Sequence, residues 1–272
     1  MCRFYVVRIK GFVWVLPEFM DEDKVKNIPV QSKRYITKVM FLVAVAKPIF
    51  DEMGECVFDG KVGCWRCARW QQRKRNYSGK NLKYKQDDHY HEDCNMDSDL
   101  YTEMMIDLLL PRIAELQATI WGNKPVVIQH DGAPGHRAEG IEAKLTLAFA
   151  AVCAIFVRQP PKSPVSNMLD MAVFHSMPSL VAEVDYETKD ELVAAVHDAW
   201  AVLDPETLAM EWACKAITMQ QFVCLDGEEF RGAHVGLRKA KKQGGWPAVW
   251  ARVDGVRSGD WDFVGKKAMD IC

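Results

Sequence analysis

Asp131, Asp170 and His136 are the residues of this sequence best placed to do chemistry. Asp131 closes an apolar run, PVVIQHD, that reads as a strand over residues 126–130. Asp170 falls in the first turn of a helix that Ser166 or Asn167 can cap. Carboxylate oxygens are the preferred ligands of hard cations such as Mg²⁺, and two that share an ion must come within a few ångströms of each other. The plainer roles are a strand-end cap for Asp131 and a complement to the helix dipole for Asp170. His136 is either a polar residue entering a helix or a contact for a substrate phosphate.

Three elements have to bring the acids together. Residues 132–135, Gly-Ala-Pro-Gly, end the first strand, and an amphipathic helix follows with Ile141, Leu145, Phe149 and Val152 on one face. A second strand is expected over 154–158, and then Pro160, Pro161 and Pro164 form a stiff extended turn. This is a β-α-β unit. It predicts parallel strands covered on both faces, with a ligand site beyond their carboxyl ends.

The same residues resemble the catalytic core of mariner-superfamily DNA transposases. The family's middle motif, Q-x-D-N-A-x-x-H, is matched by Gln129, Asp131, Ala133 and His136, with Gly132 in place of Asn. Its last motif, P-P-x-S-P-D-L-N-x-x-D, is matched by Pro160, Pro161, Ser163, Pro164, Asn167 and Asp170, with Val165 in place of Asp. Between positions 131 and 170 lie 38 residues, a spacing close to the plant-type branch. Residues 33–42, KRYITKVMFL, and 58–63, FDGKVG, also match plant-type relatives, so the resemblance covers most of residues 1–210. It implies an α/β, RNase H-like mixed sheet flanked by helices, acting on DNA in the nucleus. It also implies Asp131 and Asp170 as catalytic acids and Mg²⁺ ligands in a two-ion site. A second copy of the chain or other transposase subunits are the implied protein partners.

One departure weighs against cleavage. In the family the first catalytic aspartate opens a D-E-K-W-F-Y motif on the first strand. Phe4 and Tyr5 align with its last two positions, so the aspartate would fall just before Met1, and CRFYVV holds no acid. The expectation is an N-terminally truncated core over 1–225 and a basic, glycine-rich segment over 226–272. Two readings stay open: a DNA-cleaving, strand-transferring enzyme, or a decayed or co-opted core that binds DNA or transposase subunits without cutting. Asp59, the nearest spare acid, reads as a turn residue before Gly60.

DNA affinity has a local candidate. The net charge of −2 gives no global attraction to nucleic acid. Residues 61–85 hold Arg66, Arg69, Arg73, Lys74, Arg75 and Lys80 with no acid, and Trp65, Trp70, Tyr77 and Tyr84 are interleaved. Basic residues neutralise phosphates and aromatic rings stack on bases. The plainer reading is a solvated loop neutralised by the acids of 87–99. Cys64, Cys67, His89, His91 and Cys94 have zinc-ligand chemistry. However, residues three apart in a strand point to opposite faces, which divides Cys64 from Cys67.

The rest reads as scaffold. Strands are expected over 2–7, 12–16, 36–46 and 62–67, with a turn at 8–11 and a polar loop at 20–27. A helix is expected over 99–120, kinked at Pro111. Thr188 and Glu191 form a capping box, and Asp204 caps the next helix. Nine cysteines without a secreted-scaffold spacing suit a reducing compartment, nuclear or otherwise cytoplasmic. No apolar run approaches membrane-spanning length. The basic stretch from Arg238 to Lys242 either docks on DNA or on a partner or is a solvated tail.

Overall fold

The computed structural model describes residues 2–5, 38–74, 76–78, 83–84, 89–161, 163–184, 186, 188–224 and 233–257. The expected turn at 8–11, strand at 12–16 and loop at 20–27 lie outside these residues, as do Arg75 and Lys80.

The first third is strands. β1 (Cys2–Tyr5) pairs antiparallel with β2 (Lys38–Val45), Cys2 opposite Phe41. A short hairpin, β3 (Ile49–Phe50) and β4 (Cys56–Phe58), leads to β5 (Lys61–Arg66), antiparallel on the other edge of β2. The turn into β5 needs Gly60. Its φ is 84°, and a Cβ there would lie 2.7 Å from the Ala46 carbonyl oxygen. Asp59 closes that turn by accepting the Lys61 N–H at 2.9 Å. Next come β6 (Ala68–Gln72), the small pair β7 (Tyr77–Ser78) and β8 (Lys83–Tyr84), and β9 (His89–Asp93), which returns antiparallel to β6.

β2 alternates between two cores, as a strand with a period of two must. Val39, Phe41 and Val43 face one core, and Leu42, Ala44 and Ala46 face another. The second core is built on α1 (Ser98–Met104) and α2 (Leu110–Leu116), joined into one rod by the π-helical stretch Met105–Leu109 and extended by another, Gln117–Trp121. Pro111 therefore does not break this helix. It has no N–H to donate, and the wider π turn just before it absorbs the mismatch.

β10 (Val126–His130) then pairs in parallel with β11 (Ala154–Arg158), with α3 (Ile141–Ala148) between them. Ile141, Leu145, Phe149 and Val152 are buried, as their spacing requires. The strands are not covered on both faces: Val127, Ile155 and Val157 are exposed. Nor is there a single sheet among the described residues. β1-β2-β5 and β10-β11 are hydrogen-bonded within themselves and not to one another.

α4 (Phe174–Ala182) and α5 (Lys189–Val202) close the first core, burying Met177, Leu192 and Val196 against Val39, Phe41 and Val43. The capping box on α5 forms in both directions, Glu191 N–H to Thr188 Oγ1 at 3.2 Å and Thr188 N–H to Glu191 Oε2 at 3.1 Å. α6 (Pro205–Cys224) starts on Asp204, which accepts from the Glu206 and Thr207 N–H groups. Residues 233–257 are not a solvated tail. They form α7 (Ala233–Arg257), kinked at Gly244 and Gly245, with Leu237, Trp246, Val249 and Val253 buried against α6. No helix among the described residues is long and apolar enough to cross a membrane.

Candidate functional site

Asp131 sits one residue beyond β10, where the backbone leaves the strand. The Ala133 N–H donates to Asp131 Oδ1 at 3.0 Å, so the carboxylate nucleates its own turn. Pro134–His136 then forms a single 3-10 turn, which carries the His136 ring back under the acid. His136 Nδ1 lies 2.7 Å from Asp131 Oδ1, with the His136 side chain only 4% exposed. His136 is thus not at the start of the following helix, which begins five residues later at Ile141. Its ring is buried against Asp131 rather than open to solvent.

The electrostatics follow from this packing. Burial alone would raise the Asp131 pKa, but the His136 hydrogen bond and the Ala133 N–H outweigh it and hold the carboxyl well below the usual range. Tyr101, on α1, stacks against His136 with ring centroids 3.9 Å apart, and its hydroxyl lies 3.3 Å from His130 Nδ1. Burial pushes the Tyr101 hydroxyl's pKa up and the His130 pKa down; the charge of the neighbouring His136 adds to the latter. The wall behind Asp131 is therefore aromatic.

The proline-rich motif docks beside this acid. The Gln159 N–H donates to the His130 carbonyl at 2.9 Å, continuing the β10-β11 ladder by one bond. Gln129 Nε2 donates to the Ser166 carbonyl at 2.8 Å, and Asn167 Nδ2 to Gln159 Oε1 at 3.0 Å. Asn167 rather than Ser166 caps the next turn, its Oδ1 accepting the Leu169 N–H at 3.0 Å. Ser166 is buried and bonds back to Ser163. Asp170 lies in the π-helical turn Leu169–Val173 that follows, half-buried.

Lys215, to which the sequence gives no signal beyond an ordinary helix position, also reaches this site. From α6 its Nζ donates to Gln129 Oε1 at 3.0 Å and lies 5.0 Å from the Trp212 ring centroid. Burial lowers its pKa.

The basic stretch divides in two. Arg66 makes a two-point pair with Asp93 at 2.6 and 3.0 Å, and Arg69 does the same with Asp97 at 3.1 and 3.2 Å. These two arginines hold the β5–β9 region together and are neutralised in place. Arg73 lies over the Tyr90 ring at 4.2 Å, while Lys74 and Trp70 are exposed. Across the ribbon Trp70 packs on His91 with centroids 4.0 Å apart. The zinc-ligand candidates are not assembled. Cys64 is buried in the α4–α5 core and Cys67 in the small core behind α1, while His89 and His91 are exposed.

No protein-family model and no curated protein matches the chain. Solved structures do match it. They are catalytic domains of Mos1 mariner transposase. The crystal structure of that domain is 16% identical over 60% of this chain and 81% of its own, with a TM-score of 0.42. The same domain with raltegravir and Mn covers 60% of this chain and 82% of its own at 16% identity, with a TM-score of 0.40. A third structure, with raltegravir and Mg, has a TM-score of 0.38.

The residues present do not fit a two-ion centre. Asp131 Oδ1 already accepts from both His136 and Ala133. Among the described residues no three His, Cys, Asp or Glu side chains are grouped to hold a metal ion. Two carboxylates with water can complete the octahedron of one Mg²⁺, but a second ion would need a further acid.

Proposed function

We propose that this chain is a transposase-derived core of the RNase H-like type, which engages DNA and does not cut it with the acids it carries. The observation that supports this reading is the docking of its two motifs. Gln129 and Asp131 from one, and Gln159, Ser166 and Asn167 from the other, interlock at the carboxyl ends of adjacent parallel strands. Ligands bind in such places in α/β proteins. Asp131 and Asp170 are the two acids of the site, and β1, Cys-Arg-Phe-Tyr, adds none. Groups that act as a unit lose most of their effect when one is removed.

DNA is engaged through the ribbon at exposed Trp70 and Lys74 and half-buried Arg73. Phosphate contacts there make binding salt-sensitive and only weakly dependent on sequence. The test is a nicking assay on supercoiled plasmid with Mg²⁺ or Mn²⁺, run beside a duplex-binding titration. The expected result is binding that weakens with salt and no nicking. Nicking that disappears in Asp131→Ala would overturn the non-cutting reading.

A further inference from the structure

Cys67 and Cys94 face each other at the base of the β6–β9 ribbon. Ala68 pairs with Asp93, so one step further along this antiparallel register Cys67 stands opposite Cys94. The Cys94 N–H donates to the Cys67 carbonyl at 3.0 Å, which carries the ladder on to this pair. Cys67 is the residue that joins β5 to β6. Its own N–H goes to β2 instead, donating to the Met40 carbonyl at 2.7 Å.

Directly opposed residues of an antiparallel pair carry their side chains on one face. Both cysteines accordingly pack in the small core of Met40, Leu100 and Met104. Opposed residues joined by ladder hydrogen bonds hold their Cα atoms about 5.5 Å apart. A disulfide spans Cα separations of roughly 4.4–6.8 Å and is commonest near that value. Both thiols are free, and among the described residues no other cysteine shares this core.

The strands are pinned on either side of the pair. Arg66 holds Asp93 at 2.6 and 3.0 Å, and Arg69 holds Asp97 at 3.1 and 3.2 Å. Closing a bond between the sulfurs therefore needs side-chain rotation and no slip of register. Cys94 Sγ donates to the Glu92 carbonyl at 3.2 Å, a weak thiol hydrogen bond that such a rotation gives up.

We propose that Cys67 and Cys94 are a redox-modification site, at which an oxidant of the peroxide class closes a disulfide across the base of the ribbon. Access sets the order of events. Cys67 is 0% exposed, and burial pushes its thiol up to about 12, so it stays protonated at neutral pH. Cys94 is half-buried and is the sulfur the oxidant reaches. Its sulfur attacks one peroxide oxygen and the O–O bond breaks. The departing oxygen leaves as water with the thiol proton, and Cys94 becomes a sulfenic acid, oxidised by two electrons. The Cys67 sulfur then attacks Cys94 Sγ. The S–S bond forms, the S–O bond breaks, and the hydroxyl leaves with the Cys67 proton as a second water. Thiol exchange reopens the bond, as a reducing compartment requires of a transient disulfide. The closed loop holds Trp70, Arg73 and Lys74, but the chemistry does not depend on the proposed function.

The test treats the folded full chain with hydrogen peroxide, alkylates it and digests it without reductant, beside Cys94→Ser and Cys67→Ala. The expected product is a pair of peptides linked through Cys67 and Cys94, two hydrogens lighter than the separate peptides and split by dithiothreitol. In Cys67→Ala the resolving sulfur is gone, so dimedone should trap Cys94 sulfenic acid roughly tenfold more than in the parent chain. The link should raise the thermal midpoint by about 3 °C or more. That gain should vanish with dithiothreitol and be absent in Cys94→Ser, whose half-buried site tolerates the change. Cys94 carried on to sulfinic acid, Cys94 linked to any other cysteine, or both thiols left free overturns the proposal. A link that fails to raise the midpoint overturns it too, because the bond would then be strained against the native register.

Discussion

His136 Nδ1 lies 2.7 Å from Asp131 Oδ1, and the two are joined by a loop of four residues, Gly132 to Gly135. The histidine side chain is 4% exposed and the aspartate side chain 28%, so the pair has a buried member and a more open one. Any ligand that uses Asp131 meets a carboxylate already oriented and charged.

The pair makes acid stability testable. The folded Asp131 carboxyl is held below its usual value, with burial opposed and outweighed by His136 and the Ala133 N–H. A group whose folded pKa is depressed contributes stability that is complete above its unfolded value, about 3.9, and is lost as pH falls through the folded value. Asp131→Asn should therefore cost on the order of 2 kcal/mol at pH 6, the size of a hydrogen bond to a charged group. The deficit should shrink below pH 4, where the wild type loses the same contribution. Urea unfolding at pH 6 and pH 3 measures both; an equal deficit at the two pH values would count against the pair.

Arg66 and Lys74 should separate stability from DNA binding. Arg66 is 18% exposed and paired with Asp93, which is 11% exposed and also bonded to Lys189 at 2.6 Å. Arg66→Ala removes one partner of a largely buried charge and should cost about 2 kcal/mol. Lys74 is exposed. Lys74→Glu should leave the unfolding free energy in urea within about 0.5 kcal/mol while weakening duplex binding and flattening its salt dependence. Unchanged affinity at low salt would remove the ribbon from the DNA-binding surface.

Gly60→Ala should destabilise by more than about 1 kcal/mol. The positive φ is strained for any L side chain, and the added methyl meets the Ala46 carbonyl and the Pro48 ring. Thermal melting gives the measurement. Gly122→Ala is the comparison, because its φ is also positive, at 64°, but a Cβ there meets nothing within 4 Å.

What could be read in the sequence was local. The period of Ile141, Leu145, Phe149 and Val152, the Thr188–Glu191 capping box and the Asp59–Gly60 turn each depend on a few neighbouring residues, and each is present. The two motifs announced the strand and helix ends that carry Asp131 and Asp170. What could not be read depends on contacts far apart in the chain. Arg66 and Arg69 look available for DNA until β9 brings Asp93 and Asp97 onto them. His136 looks like a helix-entry residue until Pro134 and Gly135 make a separate turn and reverse it onto Asp131. The lysines and glycines of 236–245 hide the apolar spacing of Leu237, Trp246, Val249 and Val253, which only the face of α6 makes meaningful.

Lys215 gives the last prediction, because here stability and function should oppose each other. Its ammonium is partly desolvated beside Gln129 and Trp212, and among the described residues it has no carboxylate partner. A lysine whose folded pKa is lowered disfavours the fold while both states are protonated, and this penalty is relieved as pH rises through the folded value toward the unfolded one, about 10.4. Lys215→Met keeps the packing stem and removes the charge. It should raise stability at pH 7 by about 1 kcal/mol, and the gain should shrink by pH 10. The same change should weaken duplex binding, since a cation two residues from Asp131 along the β10 edge is placed to meet a phosphate. Urea unfolding at the two pH values and a binding titration at fixed salt read the two effects separately. A variant less stable at pH 7 would show that Lys215 supports the fold, and one with unchanged affinity would place it outside the DNA path.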